Sequence, residues 1–163
     1  MNHKRIILVG PSAAGKSFIK EKFISKGFKP EISYTSREPR DGEKDGVDYH
    51  FLTKFRFEER IHFNRFYEWV KYGDYYYGTG ITQWEECEIF IMETDGVSKI
   101  KPEDRKDCLI IYVNTPFNTR LERMRKRGWS DEKILDRVHV DHIKFKDFKD
   151  YDLEISSEEQ WKK

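Results

Sequence analysis

Three apolar runs stand out along the chain: Ile6-Ile7-Leu8-Val9, Ile89-Phe90-Ile91-Met92 and Cys108-Leu109-Ile110-Ile111-Tyr112-Val113. Runs without polar alternation are covered on both faces, the mark of strands in a parallel sheet. Between them apolar residues recur at helical spacing. Ile19 and Phe23 predict a helix from Ser17 to Lys26 that stops at Gly27, and Phe57 and Ile61 predict another over 55–63. Thr115, followed by Pro116, is the expected cap of a helix carrying Phe117, Leu121 and Met124 and ending before Gly128. Ser130, with Asp131 and Glu132 behind it, caps a further helix reaching about Phe145. Weaker strands at 29–34, blurred by Pro30, and at 151–155 bring the expected sheet to five. Ser157-Glu158-Glu159-Gln160 is a capping box for a very short last helix.

Phe66 to Tyr72 instead alternates strictly. It buries either Phe66, Glu68, Val70 and Tyr72 or Tyr67, Trp69 and Lys71, so Glu68 is a carboxylate among aromatics or an outward-facing one on a half-exposed strand. With the strand-like Tyr49-His50-Phe51-Leu52, this gives residues 34–81 a small β-rich pattern of their own, expected as an insert. The remainder, 1–33 and 82–163, alternates strands with helices. The expectation is an α/β three-layer fold with a mostly parallel sheet.

The 163 residues suit one domain, and 37% hydrophobic content supplies a core. Charged residues, also 37%, nearly cancel to +1, which argues against a nucleic-acid binder driven by a basic field. No leader or long apolar span is evident, so a cytoplasmic protein without a membrane partner is expected. Cys87 and Cys108 lie in no metal-ligand spacing and read as reduced thiols.

Chemistry enters with Gly10-Pro11-Ser12-Ala13-Ala14-Gly15-Lys16-Ser17, which fits G-x-x-x-x-G-K-[ST] between a strand and a helix. Successive backbone N–H groups of such a turn, added to the positive end of the helix, make an anion cradle. Ser12, Ala13, Ala14 and Gly15 would wrap the phosphates of ATP, Lys16 would reach the β- and γ-phosphates, and Ser17 would ligate Mg²⁺. The alternative is a glycine-serine turn with a chance lysine. Downstream, Arg37 and Arg40 flank Pro39 in a polar loop, placed to clamp one phosphate or simply to meet solvent. Glu93 follows an apolar strand, where enzymes with such a loop keep a carboxylate of the metal shell. Arg120, Arg123, Arg125, Arg127 and Arg137 gather over 120–140 as a solvent coat or a lid over phosphates.

Several segments together resemble the guanylate kinases. The phosphate loop, the run from Ser33 to Arg40 with Gly42-Glu43 and Gly46-Val47-Asp48-Tyr49-His50-Phe51, then Phe66-Tyr67-Glu68-Trp69 and Tyr76-Tyr77-Gly78-Thr79, follow that family in order. The resemblance implies a P-loop kinase fold, with Arg37, Arg40, Tyr49 and Tyr77 on the phosphate of GMP and Ser33, Glu68, Thr79 and Glu93 facing guanine. It also implies catalytic roles for Lys16 and for Arg127 and Arg137 on the lid. The activity implied is phosphorylation of GMP, and of dGMP, by ATP with Mg²⁺, in a monomer or homodimer. Departures mark a compact, divergent member. Phe90-Ile91-Met92-Glu93 stands where the family has two acids, 78–89 is shortened, and the last helix is a stub. Two readings stand beside this one: a kinase for another nucleoside monophosphate or a phosphosugar, and an inactive interaction module, against which intact Lys16 and Ser17 argue.

Overall fold

The computed structural model describes residues 4–155; the capping box at Ser157 lies outside them. Among these residues eight strands and seven helices follow in the order β1 (Arg5–Val9), α1 (Lys16–Ile24), β2 (Tyr34–Thr35), β3 (His50–Phe51), α2 (Lys54–His62), β4 (Phe66–Tyr72), β5 (Tyr75–Gly80), α3 (Ile81–Glu86), β6 (Ile89–Ile91), α4 (Thr94–Val97), α5 (Pro102–Arg105), β7 (Cys108–Val113), α6 (Phe117–Lys126), α7 (Asp131–Phe145) and β8 (Leu153–Ile155).

The first sheet is parallel throughout, in the order β6-β1-β7-β8. Its continuous apolar runs are explained by burial on both faces. Ile7 and Val9 point to one side, with Trp84, Phe90, Met92 and Ile110. Ile6 and Leu8 point to the other, with Ile19 of α1, Ile89, Ile111 and Val113. Ile7, Leu8, Val9 and Ile19 have no solvent exposure, and each such side chain stabilises the fold by about 1.5–3 kcal/mol. The described strands of this sheet number four rather than five. The 29–34 segment contributes only a bridge from Pro30 to Ile89, in which the Lys29 carbonyl accepts from the Ile89 N–H and the Glu31 N–H donates to the Ile89 carbonyl, before Tyr34 passes to the second sheet.

The second sheet, in the order β3-β2-β5-β4, is built from residues 34–80. Its β4–β5 pair is antiparallel and shifts register between Phe66 and Glu68, so that Phe66 meets Gly80 and Glu68 meets Thr79. Of the two faces open to the alternating segment, burial selects the one carrying Phe66, Glu68 and Val70. The irregularity at Tyr67 lets that ring stack on Trp84 at 3.8 Å, while Glu68 remains buried next to Thr79. A bulge is a local device for re-aiming a side chain in this way.

Helices α6 and α7 close over the phosphate-loop motif. Ser130 caps α7 by accepting from the Lys133 N–H. Thr115 does not cap α6. Its hydroxyl donates to the Ala14 carbonyl at 2.6 Å, tying the end of β7 to the loop.

Candidate active site

Loop 10–15 leaves the carboxyl end of β1 and runs into α1. Gly15 (φ +102°) and Ala13 (φ +59°) both occupy the left-handed region. For alanine that conformation is strained, and strain of this kind is retained where backbone N–H groups must line a concavity. Lys16 folds back over the loop, donating to the carbonyls of Gly10 and Pro11, the latter at 3.1 Å. Desolvation lowers the Lys16 pKa, against the pull of Glu93 and Asp141. Ser17 is exposed on the first turn of α1.

A cleft of about 920 Å³ joins this loop to the second sheet. Among its lining residues are Ser12, Ala13, Lys16, Ser17, Ser33, Arg37, Arg40, Tyr49, Glu68, Tyr77, Glu93, Arg127 and Arg137, so the two halves predicted separately from sequence face one space. A second depression, about 990 Å³, lies between α2 and α3 and contains none of the predicted site residues.

The insert side of the cleft carries Arg37, Arg40, Tyr49 and Tyr77. Glu43 accepts from both terminal guanidinium nitrogens of Arg37, Nη1 and Nη2, at 2.9 Å and from the Arg40 N–H at 2.7 Å. Arg37 lies 5.5 Å from the Tyr49 ring, whose own hydroxyl pKa is raised, chiefly by burial. The Arg37 Nε is buried without a partner among the described residues. Glu68 is 7% exposed and accepts from the Thr79 N–H at 3.2 Å. Burial raises its pKa, opposed by Thr79 and Lys99. Gly96 of α4 backs it closely, since a Cβ there would sit 3.1 Å from Glu68 Oε2. The Ser33 hydroxyl donates to Glu31 Oε2 at 2.9 Å.

On the other side Glu93 pairs with Arg137 at 3.5 Å and Lys144 at 3.3 Å. Burial pushes its carboxyl up, but Lys16, Lys144 and Arg137 outweigh that and hold it below the ordinary value. Its partners therefore belong to the cationic half of the cleft. Arg120 and Arg123 donate to the loop carbonyls of Ser12 and Ala13, and Arg127 lies on the rim. Arg125 is exposed and does not line the cleft.

Asp141 of α7, which sequence reasoning passed over, holds this side together. It is 4% exposed, accepts from Ser12 N at 2.8 Å and Ser12 Oγ at 3.2 Å, and faces Arg120 at 3.6 Å and Arg137 at 3.5 Å. The one available signal was a carboxylate on the apolar stripe Ile134, Val138, Phe145. Tyr72 was missed as well, its ring lying 4.8 Å from both Arg137 and Lys144.

No group of three His, Cys, Asp or Glu among the described residues is arranged to cage a metal. The oxygen donors facing the loop, the Ser17 hydroxyl and the Glu93 carboxylate, fit instead a hard cation such as Mg²⁺, which is held by few protein ligands together with phosphate and water. No described helix is long and apolar enough to cross a membrane.

Comparison with known proteins agrees with this geometry. A guanylate kinase of Aster yellows witches'-broom phytoplasma is 34% identical over 165 residues, covering 94% of this chain and 78% of the relative. One from Schizosaccharomyces pombe is 34% identical over 148 residues, covering 83% and 72%. Among solved structures, the guanylate kinase from Anaplasma phagocytophilum superimposes with a TM-score of 0.73 at 21% identity, over 96% of this chain and 79% of that one. The guanylate kinase family model matches residues 2–160, and the chain belongs to the guanylate kinase family.

Proposed function

We propose that the protein transfers the γ-phosphoryl group of ATP to the phosphate of GMP, giving ADP and GDP, and that it accepts dGMP as well. The observation that carries this reading is the single cleft in which a phosphate-binding loop faces a buried carboxylate, Glu68, across a cluster of arginines and tyrosines. Membership of the family supports it.

In the reaction an oxygen of the GMP phosphate forms a bond to the γ-phosphorus as the bond to the β-phosphate oxygen breaks, and that electron pair leaves with ADP. Little covalent chemistry falls to the protein; positioning and charge neutralisation carry the rate. Lys16 leaves the Gly10 and Pro11 carbonyls for the transferring group. Its lowered pKa records how poorly solvated its charge is before substrate arrives. Arg37, kept rigid by Glu43, and Arg40 hold the acceptor phosphate with Tyr49 and Tyr77. Arg137, anchored between Asp141 and Glu93, and Arg127 meet the ATP phosphates when α6 and α7 close as a lid. Ser17 would hold Mg²⁺, with Glu93 in the outer shell; when bound, the cation neutralises β- and γ-phosphate charge. Glu68 accepts the two adjacent donors of guanine, N1–H and the N2 amino group, while Thr79, itself buried and outside the cleft lining, holds that carboxylate in place.

The test is ADP release, coupled to an optical readout, with ATP and each of GMP, dGMP, AMP, CMP and UMP. GMP and dGMP within about tenfold of one another and the others far below support the proposal, since only a ribose hydroxyl contact separates those two. A pyrimidine monophosphate or AMP as best substrate would reject it.

A further inference from the structure

Glu31 lines the same cleft, and none of the roles above uses it. The side chain is 1% exposed. Its Oε2 accepts the Ser33 hydroxyl at 2.9 Å, while Oε1 is buried without a hydrogen-bond partner among the described residues. A buried polar atom left unpaired is costly and in a binding cleft points to a ligand. The groups facing Glu31 come from several elements. Lys20 of α1 gives its ammonium to the main-chain carbonyl of Glu31 rather than to the carboxyl. Glu68 of β4 repels it, and Cys87, beyond α3, lies in the same neighbourhood.

The hydroxyls available on the base side are already committed. Ser33 has one proton and gives it to Glu31, and Thr79 gives its side-chain hydrogen bond to Glu68. A purine with a carbonyl at position 6 therefore still lacks a donor for O6. Two carboxyl groups lining one cleft divide the work when one is neutral and donates while the other is ionised and accepts.

We infer that Glu31 is a specificity-determining residue whose Oε1–H donates to O6 of guanine, completing the base edge that Glu68 reads from the N1 and N2 side. The inference rests on the GMP reading above. It agrees with the acidity of the group: burial pushes the Glu31 carboxyl up to about 8, with Lys20 and Ser33 pulling it down and Glu68 pushing it further up, so it is mostly protonated at pH 7.

The test compares wild type, Glu31→Leu and Glu31→Gln on GMP and on the monophosphate of 2-aminopurine riboside, which keeps the N2 amino group and lacks both O6 and the N1 proton, so that within this substrate only the Glu31 substitution is compared. KM is measured, or Ki where turnover is too slow, with a thermal melt for each variant. Glu31→Leu should raise the GMP value by about tenfold, the worth of one buried hydrogen bond, and move the 2-aminopurine value by less than about twofold. Glu31→Gln, whose amide still donates, should stay within about threefold of wild type on GMP at pH 7. Between pH 7 and pH 9 the wild-type KM for GMP should rise several-fold relative to Glu31→Gln, a ratio in which the titrations of guanine and phosphate cancel. An equal loss on both substrates in Glu31→Leu, or a constant ratio across that pH range, would overturn the inference. The pH comparison decides alone if the leucine variant does not fold. With AMP run alongside as a third substrate, the wild type's preference for GMP is read in the same experiment, so failure of the guanine assignment is seen separately from failure of Glu31.

Discussion

Removing the Asp141 carboxylate takes a shared partner from three residues at the phosphate loop, Ser12, Arg120 and Arg137. Asp141→Ala takes away the acceptor of the Ser12 N–H at 2.8 Å and of its hydroxyl at 3.2 Å, and the counter-charge of Arg120 and Arg137 at 3.6 and 3.5 Å. Breaking a fully buried pair costs about 3–5 kcal/mol. Here the arginine side chains are 13% and 24% exposed, and each keeps another partner, Thr115 O for Arg120 and Glu93 for Arg137. The lower end applies, about 3 kcal/mol, which for a domain of this size is a fall in Tm of about 6–12 °C. Asp141→Asn keeps an acceptor for Ser12 but not the charge, and should lose about half as much. Because Ser12 belongs to the loop and Arg137 to the site, kcat/KM should fall by tenfold or more in the alanine variant, the cost of misplacing groups by a fraction of an ångström. Calorimetry and the coupled assay measure both. A Tm within about 2 °C of wild type would mean instead that solvent replaces the carboxylate at no cost.

Lys16→Ala should lower kcat by about a thousandfold, a loss of on the order of 3–5 kcal/mol of transition-state stabilisation, with Tm nearly unchanged; turnover within about tenfold of wild type would remove Lys16 from its role. Arg37→Ala should raise KM for GMP and spare ATP, whereas Arg137→Ala should chiefly lower kcat, a contrast that steady-state kinetics with each substrate varied in turn will read. Glu31 predicts a pH dependence of stability: its carboxyl is raised from 4.5 to about 8 in the folded state, so between those values the folded protein holds a proton that the unfolded chain has released, and stability falls as pH rises through that window. Glu31→Gln lacks this linkage, so its Tm should gain on wild type by several degrees between pH 5 and pH 8, and parallel melting curves would count against the buried acid.

What could be read from the sequence was local. The strand before Gly10 and the helix after Lys16 need only neighbouring residues, and the Ser130 cap is visible as a serine followed by acids. The alternation of 66–72 was legible, but its buried face was not, because the bulge opposite Thr79 depends on β5. The 29–34 segment misleads the strand count, since in the parallel sheet it forms only the bridge to Ile89 and its last residue, Tyr34, joins the second sheet instead. Thr115, with a proline after it, has the local pattern of a helix cap, while its hydroxyl reaches a residue 101 positions away. Asp141, 129 positions from Ser12, left only the weak trace of a carboxylate on an apolar stripe. Glu43 and Glu31 gave no periodic signal at all, because their partners are set by tertiary packing. Arg37, Glu68 and Tyr77 were singled out with the help of the family resemblance, and the cleft that they share shows why a single motif was not enough.

Selection of guanine by the buried carboxylate of Glu68 is measured by kcat/KM for GMP and AMP in wild type and in Glu68→Gln. AMP offers a lone pair at N1 and no N2 amino group, so Glu68 would be desolvated and unpaired against it. A site built around a substrate's hydrogen bonds rejects the mismatched analogue strongly, and at least about a hundredfold preference for GMP is expected in the wild type. Glu68→Gln, whose amide cannot accept both donors, should lose far more activity on GMP than on AMP and collapse that ratio. An unchanged ratio in Glu68→Gln, or AMP as the better substrate of the wild type, would contradict the account.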